Sequence, residues 1–110
     1  MQEFDVAPFG VVGLETALGL AFTHLVPEIL DLGNLLERTV YRPREILSQP
    51  LPQIANGQPA NLTIIDPKAA WTVDPAKFRS RSRNSAFKGH TLKGAARGIV
   101  NKGLAVIKEI

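Results

Sequence analysis

Few side chains in this 110-residue sequence have a type and spacing that could do chemistry. The two histidines, His24 and His90, lie in a predicted helix and in a basic loop, and the spacing of other histidines and acids around them does not match a zinc site. Glu15 and Asp5 are too isolated to form an acid–base pair. The absence of cysteine excludes disulfides and cysteine nucleophiles. We therefore predict no catalytic residue and no metal ligand.

A Pro-Phe-Gly segment before the first predicted helix is the best candidate for contact with a ligand. Gly10 has no side chain, so bare backbone can approach a flat polar ring there. Phe9 would lie beside that ring, while Ala7 and Pro8 would set the path of the loop. The alternative is an ordinary turn whose phenylalanine is anchored in the core.

Charge is distributed unevenly along the chain. Residues 1–60 carry three arginines and seven acids, a net −4, whereas residues 61–110 carry ten basic residues and three acids, a net +7. Arg79, Arg81 and Arg83 alternate with serine in a basic loop. Such a loop can bind anions or nucleic acid. It lacks interleaved aromatic residues for base stacking, which favours a solvated loop facing an acidic partner.

The first helix is predicted from residue 14 to residue 25. An apolar stripe recurs at the helical period through Leu14, Ala17, Leu18, Ala21, Phe22 and Leu25. We expect this stripe to be buried in the core. Glu15 lies in the first turn, where the helix dipole favours negative charge, and Pro27 ends the pattern.

Two short helices and then several short strands follow. Asp31 is a predicted N-cap, and Pro43 suits the first position of a third helix. Residues 62–65 and 71–73 are predicted as separate strands, and Asp74 as the cap of a one-turn helix. Residues 101–103 suit a three-residue hairpin turn. Helices followed by strands indicate an α+β fold, and the two short helices offer little cover for the first helix.

No apolar stretch reaches the roughly 20 residues that a membrane span needs, because charged and polar residues interrupt each one. The N-terminal residues lack the arrangement of a secretory signal. We therefore expect a cytoplasmic protein without membrane association.

Three stretches match a known family in order and spacing. The first is residues 7–18 (APFGVVGLETAL), the second is residues 57–67 (GQPANLTIIDP), and the third runs from residue 71 (WTVDP) through Asn84 and Phe87 to residues 92–94 (LKG). Together they resemble the C-terminal end of bacterial-type dihydroorotases, which are zinc-dependent cyclic amidohydrolases. The second stretch also occurs in related amidohydrolases.

The resemblance implies a fold, an activity and a pair of site residues. Residues 1–48 resemble the last loop and helices of a (β/α)₈ barrel, residues 49–59 a linker, and residues 60–110 the C-terminal strands of a flanking β domain. The family interconverts N-carbamoyl-aspartate and dihydroorotate in pyrimidine synthesis. Phe9 and Gly10 match two family positions that border the substrate. The family's zinc ligands and catalytic aspartate have no counterpart here.

Three hypotheses follow from these observations. The first is a dihydroorotase fragment, inactive alone, whose partner is the remainder of the barrel. The second is a non-catalytic subunit that docks onto an active dihydroorotase or a transcarbamoylase, or self-associates through the first helix. The third, less favoured, is a basic module that binds anions or nucleic acid through residues 77–97.

Overall fold

The fold of residues 9–108, the part of the chain that the computed structural model describes, is a helical segment followed by a three-stranded antiparallel sheet. The predicted α+β class is therefore confirmed. The helices are α1 (Leu14–His24), α2 (Leu32–Leu36) and α3 (Arg42–Ile46), and the strands are β1 (Asn61–Thr72), β2 (Thr91–Asn101) and β3 (Leu104–Ile107), in the sheet order β1-β2-β3. In this part of the chain no helix has the length and apolar character needed to cross a membrane.

The buried face of α1 is not the one that its apolar stripe predicts. The helix packs mainly against β2 and buries Thr16, Gly19 and Phe22. Leu14 at the start of the stripe is 96% exposed, and Ala17 is exposed as well. The prediction of a buried stripe is therefore wrong at Leu14 and Ala17, whereas Leu18, Ala21 and Leu25 are half-buried and Phe22 is buried. The absence of a side chain at Gly19 allows the helix backbone to approach the sheet closely.

Two glycines set the distance between α1 and the sheet. A Cβ on Gly19 would lie 3.0 Å from the Trp71 ring and 3.1 Å from Leu92. On the sheet side, Gly94 has φ +82°, and a Cβ there would lie 2.6 Å from the Phe22 ring. The Trp71 indole N–H donates to the Gly94 carbonyl at 3.0 Å. Trp71 thus packs between sheet and helix, as the sequence predicts.

The helical segment after α1 is continuous rather than divided. Asp31 caps α2 by accepting from the Asn34 backbone N–H at 2.7 Å, so the predicted N-cap is confirmed. A π-helical turn (Glu37–Tyr41) joins α2 to α3, and Pro43 lies in the first turn of α3. The main packing partner of α1 is β2, which agrees with the expectation that the two short helices offer it little cover.

Strand β1 is a single strand with a bulge, where the sequence predicts two separate strands. Asp66 pairs with Ala95 and Ala70 pairs with Lys93, so residues 67–69 stand opposite one residue of β2. The Asp66 carboxylate accepts from the backbone N–H groups of residues 68 and 69 and from the Arg97 guanidinium at 2.9 Å. These bonds stabilise the bulge, and they lower the pKa of Asp66, the Arg97 bond most of all.

The predicted hairpin between β2 and β3 is confirmed, but its turn is shorter than expected. Asn101 pairs with Leu104, which leaves a two-residue turn of Lys102 and Gly103. Both have positive φ, 49° and 77°, as a type I′ turn requires. Asp74, as predicted, caps a short helix (Pro75–Lys77) by accepting from the Ala76 N–H.

The core is small for a chain of this length. Val73, Phe78 and Leu92 form its centre, with Trp71 and Leu20 packed against them. Among the described residues, large apolar side chains that are exposed outnumber buried ones. The solvent-accessible surface is 9086 Å², whereas a compact monomer of 12.0 kDa exposes about 6000 Å².

We expect Gly94→Ala to lower the free energy of unfolding by about 2–4 kcal/mol, because the new methyl group would overlap the Phe22 ring in an already left-handed backbone. Gly57→Ala is the matched control, since Gly57 has φ +80° with open space around it. It should cost only about 1 kcal/mol. Urea denaturation would measure the free energy of unfolding of both variants. Equal losses of stability would contradict the close contact between Gly94 and the Phe22 ring.

We expect Asp66→Asn to destabilise the chain at neutral pH and to have little effect in acid. The folded-state pKa of Asp66 lies below its ordinary value, so its stabilisation is complete above the ordinary pKa of about 3.9 and is lost as the pH falls through the lower folded value. Urea midpoints measured from pH 6.5 downward would show that the difference in stability between Asp66→Asn and the unsubstituted chain disappears. In an Arg97→Gln background the difference should be smaller, and an unchanged difference would exclude Arg97 as the main cause.

Candidate functional site

The loop before α1 presents Phe9 outward. Phe9 is 105% exposed, and Gly10 has φ +70° with no atom within 4 Å of the position a Cβ would take. The alternative of a phenylalanine anchored in the core is therefore excluded. Ala7 and Pro8, predicted to support the loop, lie outside the described residues, as does Asp5.

The inner end of the same loop is fixed to the core. Val12 is half-buried and packs against the cluster of Val73, Phe78 and Leu92. Its backbone N–H donates to the Asn84 carbonyl at 2.9 Å. The loop is thus fixed to the core at Val12, while Phe9 lies outward at its other end.

Asn84 makes a second contact, which reaches the glycine of the loop. Its side-chain amide donates to the Gly10 carbonyl at 2.5 Å. A carbonyl oxygen can only accept, so the atom facing it must be the amide nitrogen. The site therefore includes a residue 74 positions away along the chain, which the sequence analysis noted only as part of a family motif.

Glu15 holds the neighbouring part of the basic loop. Its carboxylate accepts from the backbone N–H of Arg79 at 3.0 and 3.2 Å and from that of Ser80 at 3.0 Å. The sequence analysis assigned Glu15 only to the helix N-terminus. No periodicity marks this contact, because it joins a helix to a loop 64 residues later.

An open cleft lies between these two segments. It has a volume of about 530 Å³ and is lined by residues 11–15 on one side and by Phe78, Arg79 and Ser80 on the other. The cleft adjoins Gly10 but does not contain Phe9. Its lining residues include no histidine and a single acid, Glu15, whose carboxylate accepts the backbone N–H groups of Arg79 and Ser80.

The arginines of the basic loop differ in their surroundings. Arg79 and Arg81 are exposed, whereas the Arg83 guanidinium donates to the Phe78 carbonyl. One of the three charges therefore serves the local structure of the loop. The hypothesis of an anion- or nucleic-acid-binding module stays a prediction.

The two histidines lie where the sequence predicts. His24 ends α1 and is exposed. His90 is also exposed, and its ring meets the Phe87 ring edge-on at a centroid distance of 5.7 Å. Across residues 9–108, no three His, Asp or Glu side chains stand together as metal ligands. The described residues therefore do not fit the zinc site that the family implies.

Comparison with known proteins identifies the relatives of this chain. No family model matches it. The dihydroorotase of Geotalea daltonii is 42% identical over 106 residues, which are 96% of this chain and 25% of the relative. That of Pelotomaculum thermopropionicum is 40% identical over 108 residues, 97% of this chain and 25% of the relative. That of Chlorobaculum tepidum is 41% identical over 105 residues, 94% of this chain and 24% of the relative.

The similarity confirms the predicted resemblance to a class of hydrolases in pyrimidine biosynthesis. Within that class, the chain corresponds to a portion of a dihydroorotase. It spans about a quarter of the length of these relatives.

We expect Glu15→Ala to raise amide hydrogen exchange at Ser80 by about tenfold, because the carboxylate that accepts this N–H is removed. Glu15→Gln keeps one acceptor oxygen and should have a smaller effect. Nuclear magnetic resonance would report both rates, with the exposed Glu28→Ala as control. Unchanged exchange at Ser80 in Glu15→Ala would contradict the anchoring role of Glu15.

Proposed function

We propose that this chain is the C-terminal portion of a dihydroorotase and contributes the substrate-bordering loop and part of the flanking β domain. In this proposal the reaction is the reversible cyclisation of N-carbamoyl-aspartate to dihydroorotate in the cytoplasm. The catalytic residues and the zinc ligands are supplied by the rest of the barrel. The chain alone is inactive.

The observation that carries the proposal is the excess of apolar surface. The chain exposes about half as much surface again as a compact monomer of its mass. Its radius of gyration is 16.5 Å, against about 13 Å for a compact chain of this length. Many large apolar side chains of the described residues are exposed, and exposed apolar surface suits an interface. The relatives contain three further quarters of chain that can cover it.

The uncovered side of α1 is the part of this surface best suited to a barrel. Leu14 is almost fully exposed, Ala17 is exposed, and Leu18 is only half-buried. The helix thus packs on β2 through Thr16, Gly19 and Phe22 and leaves Leu14 and Ala17 uncovered. In this proposal the uncovered face would contact the rest of the barrel.

The proposed division of the chain is the one that the family resemblance implies. Residues 1–48 would belong to the end of the barrel, residues 49–59 would form the linker, and residues 60–110 would belong to the flanking domain. Strand β3 is an edge strand whose four residues are all exposed. Its unpaired backbone groups suit pairing with a further strand of the flanking domain.

A second candidate function uses the same helix face in another way. The exposed residues of α1 also suit a non-catalytic subunit that associates with itself, with an active dihydroorotase or with a transcarbamoylase. In that case association would occur without restored turnover.

The test is complementation. The chain is co-expressed with the three-quarters of the Geotalea daltonii dihydroorotase that it does not match, and the purified complex is assayed for hydrolysis of dihydroorotate. We expect turnover from the complex and none from either piece alone. A complex without turnover would favour the non-catalytic subunit, and no complex at all would contradict the first function.

A matched pair of variants tests the interface. Leu14→Asp should reduce the recovered activity by at least about tenfold, because an apolar residue that becomes buried would be replaced by a charge. Ile54→Asp introduces the same charge at a linker residue that is 90% exposed, and it should leave the activity unchanged. Equal effects of the two variants would exclude α1 as the interface.

A further inference from the structure

We infer that Asn84 is a positioning residue for the substrate loop, which it holds from the flanking domain by two hydrogen bonds. The inference rests on the proposed function, because it requires that Phe9 and Gly10 border the substrate. Asn84 itself reaches neither a substrate nor a reacting atom in this arrangement. It acts by fixing the backbone that does.

The two bonds are made by the side chain and by the main chain of Asn84, and they bind the residues on either side of Val11. The side-chain amide donates to the Gly10 carbonyl at 2.5 Å, and the main-chain carbonyl accepts from the Val12 N–H at 2.9 Å. Two bonds to residues two apart fix a loop in direction as well as in position. A single bond would leave rotation about it free.

The conformation of Gly10 makes such support necessary. Glycine populates positive and negative φ about equally, so a glycine loop has no intrinsic preference for the +70° observed here. No atom lies within 4 Å of the Cβ position of Gly10. Packing therefore does not select this conformation, and the hydrogen bonds from Asn84 do.

Asn84 is in turn supported within the basic loop. Its backbone N–H lies 3.3 Å from the Ser82 hydroxyl oxygen. Arg83 donates to the Phe78 carbonyl, and Phe78 belongs to the core. Glu15 holds the start of the same loop at Arg79. Through these contacts, the loop residue that binds Gly10 is itself attached to the core and to α1.

The bond from the Asn84 side chain to Gly10 is exposed to solvent. Its removal can therefore change the position of the loop without a large change in the stability of the fold. Water replaces a lost hydrogen bond at an exposed site, so removal of the amide should change the unfolding midpoint little. The loop would nevertheless lose its fixed direction. A misplaced substrate contact raises KM or lowers kcat even where the fold is unchanged.

The test uses Asn84→Asp and Asn84→Ala. Asn84→Asp keeps the size of the side chain but turns a negative oxygen toward the Gly10 carbonyl, whereas Asn84→Ala removes the contact. The matched control is Asn56→Asp, an exposed residue of the connecting segment. The conservative variant Asn84→Gln keeps the amide and should recover part of the effect.

The first measurement is amide exchange at Val12 in the full chain. We expect a rise of about tenfold in Asn84→Asp and Asn84→Ala, with no change in Asn56→Asp, because loss of the side-chain bond to the Gly10 carbonyl lets residues 10–12 move away from the main-chain carbonyl that accepts the Val12 N–H. Unchanged exchange in both Asn84 variants would overturn the inference.

The second measurement is KM for dihydroorotate in the complemented enzyme. We expect about a tenfold rise for Asn84→Asp, with zinc content and complex formation as in the unsubstituted chain. If the unsubstituted chain restores turnover and Asn84→Asp has the same KM and kcat, the positioning role is overturned and the proposed function stands. If the unsubstituted chain forms no active complex, the proposed function fails, and the substrate role of Asn84 fails with it.

Discussion

The contact between α1 and the sheet is the constraint on which the rest of the described structure depends. Gly19 on the helix and Gly94 on β2 leave room for the rings of Trp71 and Phe22, and a methyl group at either glycine would collide with its neighbours. The left-handed backbone at Gly94 coincides with the bulge in β1, which Asp66 stabilises. Helix position, strand register and bulge therefore form one unit.

This unit determines where the loop before α1 lies. The helix begins at Leu14, so the residues just before it must leave the sheet at a fixed point. The basic loop meets them there and binds them through Asn84 and Glu15. The segment that carries Phe9 is thus attached on one side only. Its other side is open, and in the proposed function the rest of the enzyme would contact it.

Local sequence signals predicted many of the elements correctly. The N-caps at Asp31 and Asp74 and the hairpin before Leu104 follow from side-chain and turn preferences that act within a few residues. The errors concern elements whose form depends on distant partners. The sequence predicts two strands where β1 is continuous, because Pro67 is typical of a strand end. In the structure the Asp66 carboxylate, bonded to the backbone of residues 68 and 69 and to Arg97, stabilises a bulge that contains Pro67.

The sequence by itself determined the family, the α+β class and the candidate residues Phe9 and Gly10. Short-range preferences and motif spacing carry that information. Only the tertiary structure decided which face of α1 is buried and which residue holds the loop. Helical periodicity marks apolar residues without identifying the neighbour that each contacts, and here Thr16, Gly19 and Phe22 face the sheet while Leu14 is exposed. The bond from Asn84 to Gly10 joins residues 74 apart, a separation that no local pattern encodes.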